Sequence, residues 1–380
     1  MNKTNHLLLH RLLKGIADCA IKLFIPILIY NATSNIMLCF TYIIIDHFVA
    51  ALCFGALKRI IQKQPLACLI ISILPLIACE LMLLLMQIDI GLIIGIAVLD
   101  AVYSSLYYGA LNLTFANIDD NTNTAKFESG QHIGKIIFTI LSAYLLGNLQ
   151  NSFLFVVLFS VGLYLLSMIP IIIIRIKDKD KKRVIPKFDI KQVLSDTKEF
   201  NIYHIFTGIF SFICEFVLPL YLYINGLSLT VVGIFMALQY SVNILANYVV
   251  KFLQNKNKTK FIVISSSIIQ FISLTCIIFF NNNIVIYIFN LLITFSYQML
   301  FVSLFGLFVK DQKQNNMFYH SLFYRDIIQN AARTMSGCMY LIFPSFTVMF
   351  GLGLVSSILI GVSGTKCVNK VNKNLQTDKL

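Results

Sequence analysis

Seven carboxylic acids, Asp18, Asp46, Glu80, Asp100, Glu128, Glu215 and Asp326, fall inside stretches of sequence that are otherwise almost wholly apolar. Four bases, Lys22, Lys135, Arg325 and Arg333, do the same, and His47 and His132 add groups whose charge can change. An ionised side chain at the centre of a bilayer costs at least about 2.5 to 3.5 kcal/mol on insertion scales, so each one needs a partner, a wet cavity or a neutral state. The chemistry open to such a set is binding and releasing a solute or a proton, and making and breaking ion pairs. Bond-making chemistry has no comparable basis, because the sequence carries no H-E-x-x-H, G-x-S-x-G, paired-cysteine or G-x-x-x-x-G-K-[ST] pattern. An enzyme and a nucleotide-driven pump are therefore not expected, and no cofactor or metal is implied.

Depth sorts these residues into two groups. At about 1.5 Å of rise per residue, Lys22, Asp46, His47, Asp100, Glu215, Gln239 and Gln298 lie near the middle of their apolar runs, where a substrate or ion would bind. Tyr103, Tyr107, Asn243 and Tyr297 are also mid-run, with the choice between contacting a solute and packing between helices left open. Asp18, Glu128, His132, Lys135, Arg325, Asp326 and Arg333 sit within a few turns of one end, and with Arg59 they form the expected gate. Asp46 beside His47, and Asp100, are the candidate proton sites, since a carboxyl stripped of water holds a proton more readily.

The elements that must position these groups are membrane helices. Of the 380 residues, 58% are hydrophobic and only 12% charged, with a mean hydropathy of +0.81, whereas a soluble chain carries about 25% charge. Runs long enough to span a bilayer fall at 15–31, 35–57, 66–86, 90–115, 128–148 and 152–174, then at 201–224, 228–251, 260–280, 284–309, 318–343 and 347–365. The stretch 175–200 between the two groups is a basic linker, its later part able to form a short surface helix. Of 30 lysines and arginines, 26 fall on one side if the helices alternate, and the opposite loops hold none. That asymmetry puts both termini and the linker in the cytoplasm. It also explains the net charge of +13 without nucleic acid. The basic amino terminus lacks a small-residue cleavage site and is expected to be retained, and the nine cysteines read as small buried hydrophobes.

The two groups of six are related. A shift of 193 residues lays Gly15, Lys22, Pro26 and Tyr30 over Gly208, Glu215, Pro219 and Tyr223. A shift of 198 lays Glu128, Gln131, His132, Gly134 and Lys135 over Asp326, Gln329, Asn330, Ala332 and Arg333. With the linker, this pattern resembles the major facilitator superfamily over roughly residues 11 to 366. The family's G-x-x-x-D-R-x-G-x-R-K loop appears as GALKRIIQKQ, which keeps Gly55, Arg59 and Lys63 but has Lys58 in the acidic position. The antiporter pattern G-P-x-x-x-G-G is missing from FTILSAYLLGNL.

The resemblance implies an all-α membrane protein of twelve transmembrane helices in two pseudo-symmetric six-helix bundles, residues 1–174 and 201–366, with a cytoplasmic tail at 367–380. It implies a monomeric secondary transporter of a small solute, coupled to protons, alternating access in a bacterial cytoplasmic membrane among lipids. A lipid or lipid-linked flippase, or a non-transporting receptor on the same scaffold, is the alternative. In that fold the first and seventh helices approach each other, so Lys22 and Glu215 are expected to meet, either as a gate or as a fixed pair.

Overall fold

The computed structural model describes residues 3–85, 89–116, 124–148, 152–177, 193–195, 197–254, 256, 258–280, 282–314 and 318–377; the Glu128 side chain and linker residues 178–192 lie outside them. The regular elements are helices. The first pass is α1 (Lys3–Asp18), a 3₁₀ turn (Lys22–Phe24) and α2 (Ile25–Thr33). Then come α3 (Ile36–Lys63), α4 (Pro65–Ile71) with α5 (Ile73–Met82), α6 (Ile90–Ala116), α7 (Thr124–Asn148) and α8 (Ser152–Lys177). The seventh pass is α9 (Lys198–Phe212), a π turn (Ile213–Val217) and α10 (Leu218–Ile224). It is followed by α11 (Leu229–Gln254), α12 (Thr259–Phe279), α13 (Asn283–Gln314), α14 (Phe318–Ile342) and α15 (Phe346–Thr377). These fall on the twelve expected spans within a few residues, with two exceptions. The first pass starts at Lys3 rather than at residue 15, which draws His10 and Lys14 into the bundle, and the last runs on to Thr377, burying Cys367, Val368 and Val371.

Nine of these passes, among the described residues, are apolar and long enough to cross a membrane. The first pass, α7 and α14 are the polar ones, and they carry the charged clusters. A polar stripe is tolerated within a bilayer when it faces protein or water rather than lipid. The outer faces supply the contrast, with Ile137, Phe155, Leu158, Leu245, Ile288 and Val355 exposed. Local boundaries follow ordinary rules. Asn35 caps α3 by accepting from the Met37 N–H at 2.9 Å, and Pro65 opens α4 at a position where its missing N–H costs nothing.

The breaks in the first and seventh passes share one cause. Pro26 and Pro219 have no N–H to offer the carbonyls of Lys22 and Glu215, four residues earlier. In the first pass the helix stops at Asp18 and restarts through the 3₁₀ turn, where the Ile25 N–H closes on the Lys22 carbonyl. In the seventh it widens into the π turn, where the Leu218 N–H reaches back to the Ile213 carbonyl. Lys22 and Glu215 therefore each sit on irregular backbone in equivalent places.

The two repeats also pack alike. A Cβ on Gly15 would stand 2.7 Å from the Gln131 carbonyl oxygen of α7, and one on Gly208 would stand 2.8 Å from the Gln329 carbonyl oxygen of α14. Only glycine permits so close a helix crossing. Between the halves, α3 lies along α14 and α7 along α11. The ends of α2 and α10 meet through Tyr30 and Tyr223, edge to face at 6.2 Å. At the opposite end, where α15 finishes, Lys370 with Glu199 at 3.2 Å and Asn374 with Asp311 at 3.2 Å join helices that all follow the linker.

Candidate functional site

Around the break in the first pass, two lysine–aspartate pairs flank one aromatic ring. Lys22 donates to Asp100 Oδ1 and, at 3.3 Å, to Ser104 Oγ. The second oxygen of Asp100 accepts from the Tyr42 hydroxyl at 2.8 Å. Lys14 pairs with Asp18 at 2.5 Å, and the Tyr164 hydroxyl donates to the other Asp18 oxygen at 3.0 Å. The Tyr103 ring lies between them, its centroid 4.3 Å from Lys22 Nζ and 5.3 Å from Lys14 Nζ. Lys14 also stands 4.2 Å from the Tyr107 ring centre. Aromatic faces attract cations, more so away from water, so Tyr103 stabilises two ammonium groups at once. His10 closes the cluster: Nδ1 donates to the Ser167 carbonyl at 2.7 Å, which leaves Nε2 to accept from the Tyr107 hydroxyl at 3.0 Å.

The second half answers with an acid and a base. Glu215, on the π turn, pairs with Arg333 at 3.4 Å, and Arg333 Nε donates to Ser211 at 2.9 Å. The Glu215 side chain is 44% exposed and those of Arg333 and Lys22 each 21%, although Lys22 and Glu215 sit at the breaks midway through their passes and Arg333 lies near the middle of α14, deeper than the gate position expected for it. In a membrane helix such exposure means a face turned to an internal cavity. Further along α14, Arg325 pairs with Asp326 and stacks over the Phe305 ring at 4.7 Å.

Lys22 and Glu215 do not meet, contrary to the sequence expectation. Each finds its counter-charge within its own half, because the two breaks turn the side chains towards α6 and α14 rather than towards each other. Across the α3–α14 seam the contacts are neutral. His47 Nδ1 donates to Asn330 Oδ1 at 3.0 Å, Phe40 stacks flat on Tyr340 at 3.7 Å, and Gln62 Nε2 donates to the Tyr319 carbonyl at 2.9 Å. Asp46 is buried beside His47, 3.7 Å from its Nδ1, and Asp46 Oδ1 has no partner among the described residues.

The other expected residues divide. Gln239 bonds Asn290 and Thr294, and Gln298 bonds Asn247, so both amides are engaged between helices of one half. Tyr297 stacks on Phe210, and Asn243 is half-buried on α11. His132 stacks on Tyr240, which Lys135 also overlies at 5.0 Å, a contact across the α7–α11 seam. Arg59 is exposed at the end of α3. Sequence reading missed Lys14, His10, Tyr42 and Tyr164; the first two fall before the long apolar run, and the tyrosines carry no pattern of their own. The i, i+4 spacing of Lys14, Asp18 and Lys22 was the available signal. Glu80, for which spacing suggested no role, is fully buried and accepts from Ser160 at 2.9 Å.

Among the described residues, twelve helical passes with ion pairs buried between them, the first and seventh broken at equivalent mid-membrane positions, define a helical membrane transporter. The chain belongs to the Major Facilitator Superfamily, a non-enzymatic transporter family whose profile matches residues 15–324. No curated protein sequence matches significantly. Among solved structures, the chain is similar to a bacterial homologue of the iron transporter ferroportin in an outward-facing state, with a TM-score of 0.75 at 14% identity, covering 98% of this chain and 100% of that one. The inward-facing state of such a homologue gives 0.68 at 14% identity, covering 96% and 98%. The nucleoside transporter NupG gives 0.68 at 11% identity, covering 98% and 100%.

Proposed function

We propose that this protein is a proton-coupled secondary transporter of a small polar solute, which binds between the Lys22–Asp100 and Glu215–Arg333 pairs and is passed across by rocking residues 1–174 against 201–366. The observation that carries this reading is the partition of the contacts. The pairs Lys14–Asp18, Lys22–Asp100, Arg325–Asp326 and Glu215–Arg333 each lie within one half, while the seam between halves is held by hydrogen bonds, aromatic stacks and the Lys135–Tyr240 contact. Breaking a buried ion pair costs about 3 to 5 kcal/mol, whereas a neutral hydrogen bond contributes about 1 kcal/mol and an aromatic pair about 0.5 to 1.5 kcal/mol. The halves can therefore separate at either end without abandoning a charge in oil.

Asp46 and Asp100 are the coupling carboxylates in this reading, Asp46 because one of its oxygens is left without a partner against the α3–α14 seam. Proteins of this fold include a homologue of an iron transporter and a nucleoside transporter, so the solute is chosen by the residues at the centre and not by the fold. The protein works as a monomer in the cytoplasmic membrane of a bacterium, with both termini in the cytoplasm as the lysine and arginine asymmetry requires.

A thermal-shift screen of the purified protein against metabolites at two pH values identifies the solute. Uptake into proteoliposomes under an imposed pH gradient then tests coupling. Asp46→Asn and Asp100→Asn are expected to abolish gradient-driven accumulation, with solute exchange under no gradient surviving in at least one of them. Gradient-driven accumulation that survives in both variants sinks the coupling assignment.

A further inference from the structure

Away from the centre, the outer face between α12 and α15 carries a groove of about 640 Å³. Two glycines make it. A Cβ on Gly364 would lie 2.9 Å from the Val263 side chain, and one on Gly361 would lie 3.0 Å from both Cβ and Oγ of Ser267. The two helices touch along this line, and the groove lies outside it with Gly361 and Ser267 on its floor. The walls are Ile264, Ile268, Phe271, Ile358 and Val362, and the polar residues Thr365 and Lys366 stand at one end only. That end is where α12 begins and α15 finishes, the same end as both termini.

We infer that this groove binds one acyl chain of an anionic phospholipid, with the phosphate at Lys366. Three observations converge on that occupant. From Lys366 to Ile358 the groove runs eight residues of helix, about 12 Å, close to the depth of one leaflet at about half of a 30 Å hydrocarbon core. Its walls are apolar along that length. Its mouth is basic: Lys258 and Lys260 are exposed at the start of α12, and the opposition of Val263 to Gly364 puts Lys260 level with Lys366. Neither helix carries an aspartate or glutamate, so nothing on them offsets those charges. Anionic lipid is attracted to such juxtamembrane lysines. On the floor, the buried Ser267 hydroxyl has no partner among the described residues, and a lipid ester carbonyl is an acceptor of the kind it lacks.

The chain contains no tryptophan, so an introduced one reports on its own surroundings. Ile358→Trp is reconstituted in vesicles doped with brominated phosphatidylglycerol or brominated phosphatidylcholine, and its quenching is compared with that of Leu245→Trp on the exposed face of α11. At 358 the relative quenching by phosphatidylglycerol should exceed that by phosphatidylcholine about three-fold or more, while at 245 the ratio stays near one. Adding Lys260→Gln and Lys366→Gln should bring the ratio at 358 to that at 245. Equal ratios at the two sites in the otherwise native protein, or a preference at 358 that survives loss of both lysines, overturns the proposal. Should Ile358→Trp fail to fold, Ile268→Trp on the facing wall gives the same comparison.

Discussion

Asp100→Asn is the most direct probe of the central charges. Its two oxygens are spoken for separately, Oδ1 by the Lys22 ammonium and Oδ2 by the Tyr42 hydroxyl. An amide offers a single acceptor oxygen and turns an N–H₂ towards whichever partner it does not accept from. Asp100→Asn thus removes a charge and one acceptor together, leaving Lys22 charged without its counter-ion. Losing one partner of a buried pair costs about 3 to 5 kcal/mol. The Lys22 side chain is 21% exposed and keeps Ser104 and the face of Tyr103. Water and these contacts bring the loss below that range, to about 2 to 3 kcal/mol.

The second variant, Lys22→Met with Asp100→Asn, removes the stranded cation. It should recover at least half of the lost stability, because replacing both members of a buried pair is far milder than removing one. The assay is unfolding of purified protein in detergent, followed by heating and by denaturant, with transport measured in parallel. Stability should drop and then rise across the series while transport stays lost. A double variant as unstable as Asp100→Asn alone, or Asp100→Asn as stable as the native chain, would show that Lys22 and Asp100 do not hold each other.

Three further perturbations test the frame around the site. Gly15→Leu and Gly208→Leu each drive a side chain against a carbonyl oxygen 2.7 or 2.8 Å from the Cβ position and should each cost about 1 to 3 kcal/mol, whereas Gly162→Ala, which meets open space, should be neutral in the same unfolding assay. Pro219→Ala returns a donor to the Glu215 carbonyl, so the π turn should relax towards α-helix and swing Glu215 away from Arg333; folding should be intact, transport reduced at least ten-fold, and the loss absent if the π turn is only decorative. Phe40→Leu weakens the stack on Tyr340 by about 0.5 to 1.5 kcal/mol and should shift spin-label distances across the α3–α14 seam towards the separated population, with unchanged distances counting against the stack as a latch.

The number and order of the passes and the pairing of Gly15 with Gly208 and of Gln131 with Gln329 were all legible from residue types and spacing. Hydrophobic length is a property of the chain itself, and a repeat needs no coordinates to be seen. The glycine-on-carbonyl crossings then showed why those positions recur, since one contact made twice constrains both ends of each pair. Which charge holds which was decided only by the tertiary structure. Lys22 and Glu215 occupy matching places in the repeat, yet each turns to its own half, because the helix breaks ahead of Pro26 and Pro219 set the direction of the side chains and Asp100 and Arg333 lie in those directions. Lys14 was concealed for a related reason: beside an apolar run a lysine reads as flank, and only the tertiary fold brings it to Tyr103 and Tyr107 of α6. Hydrophobicity along a chain is a sum over neighbours in sequence, whereas an ion pair depends on a few ångströms between residues far apart in it.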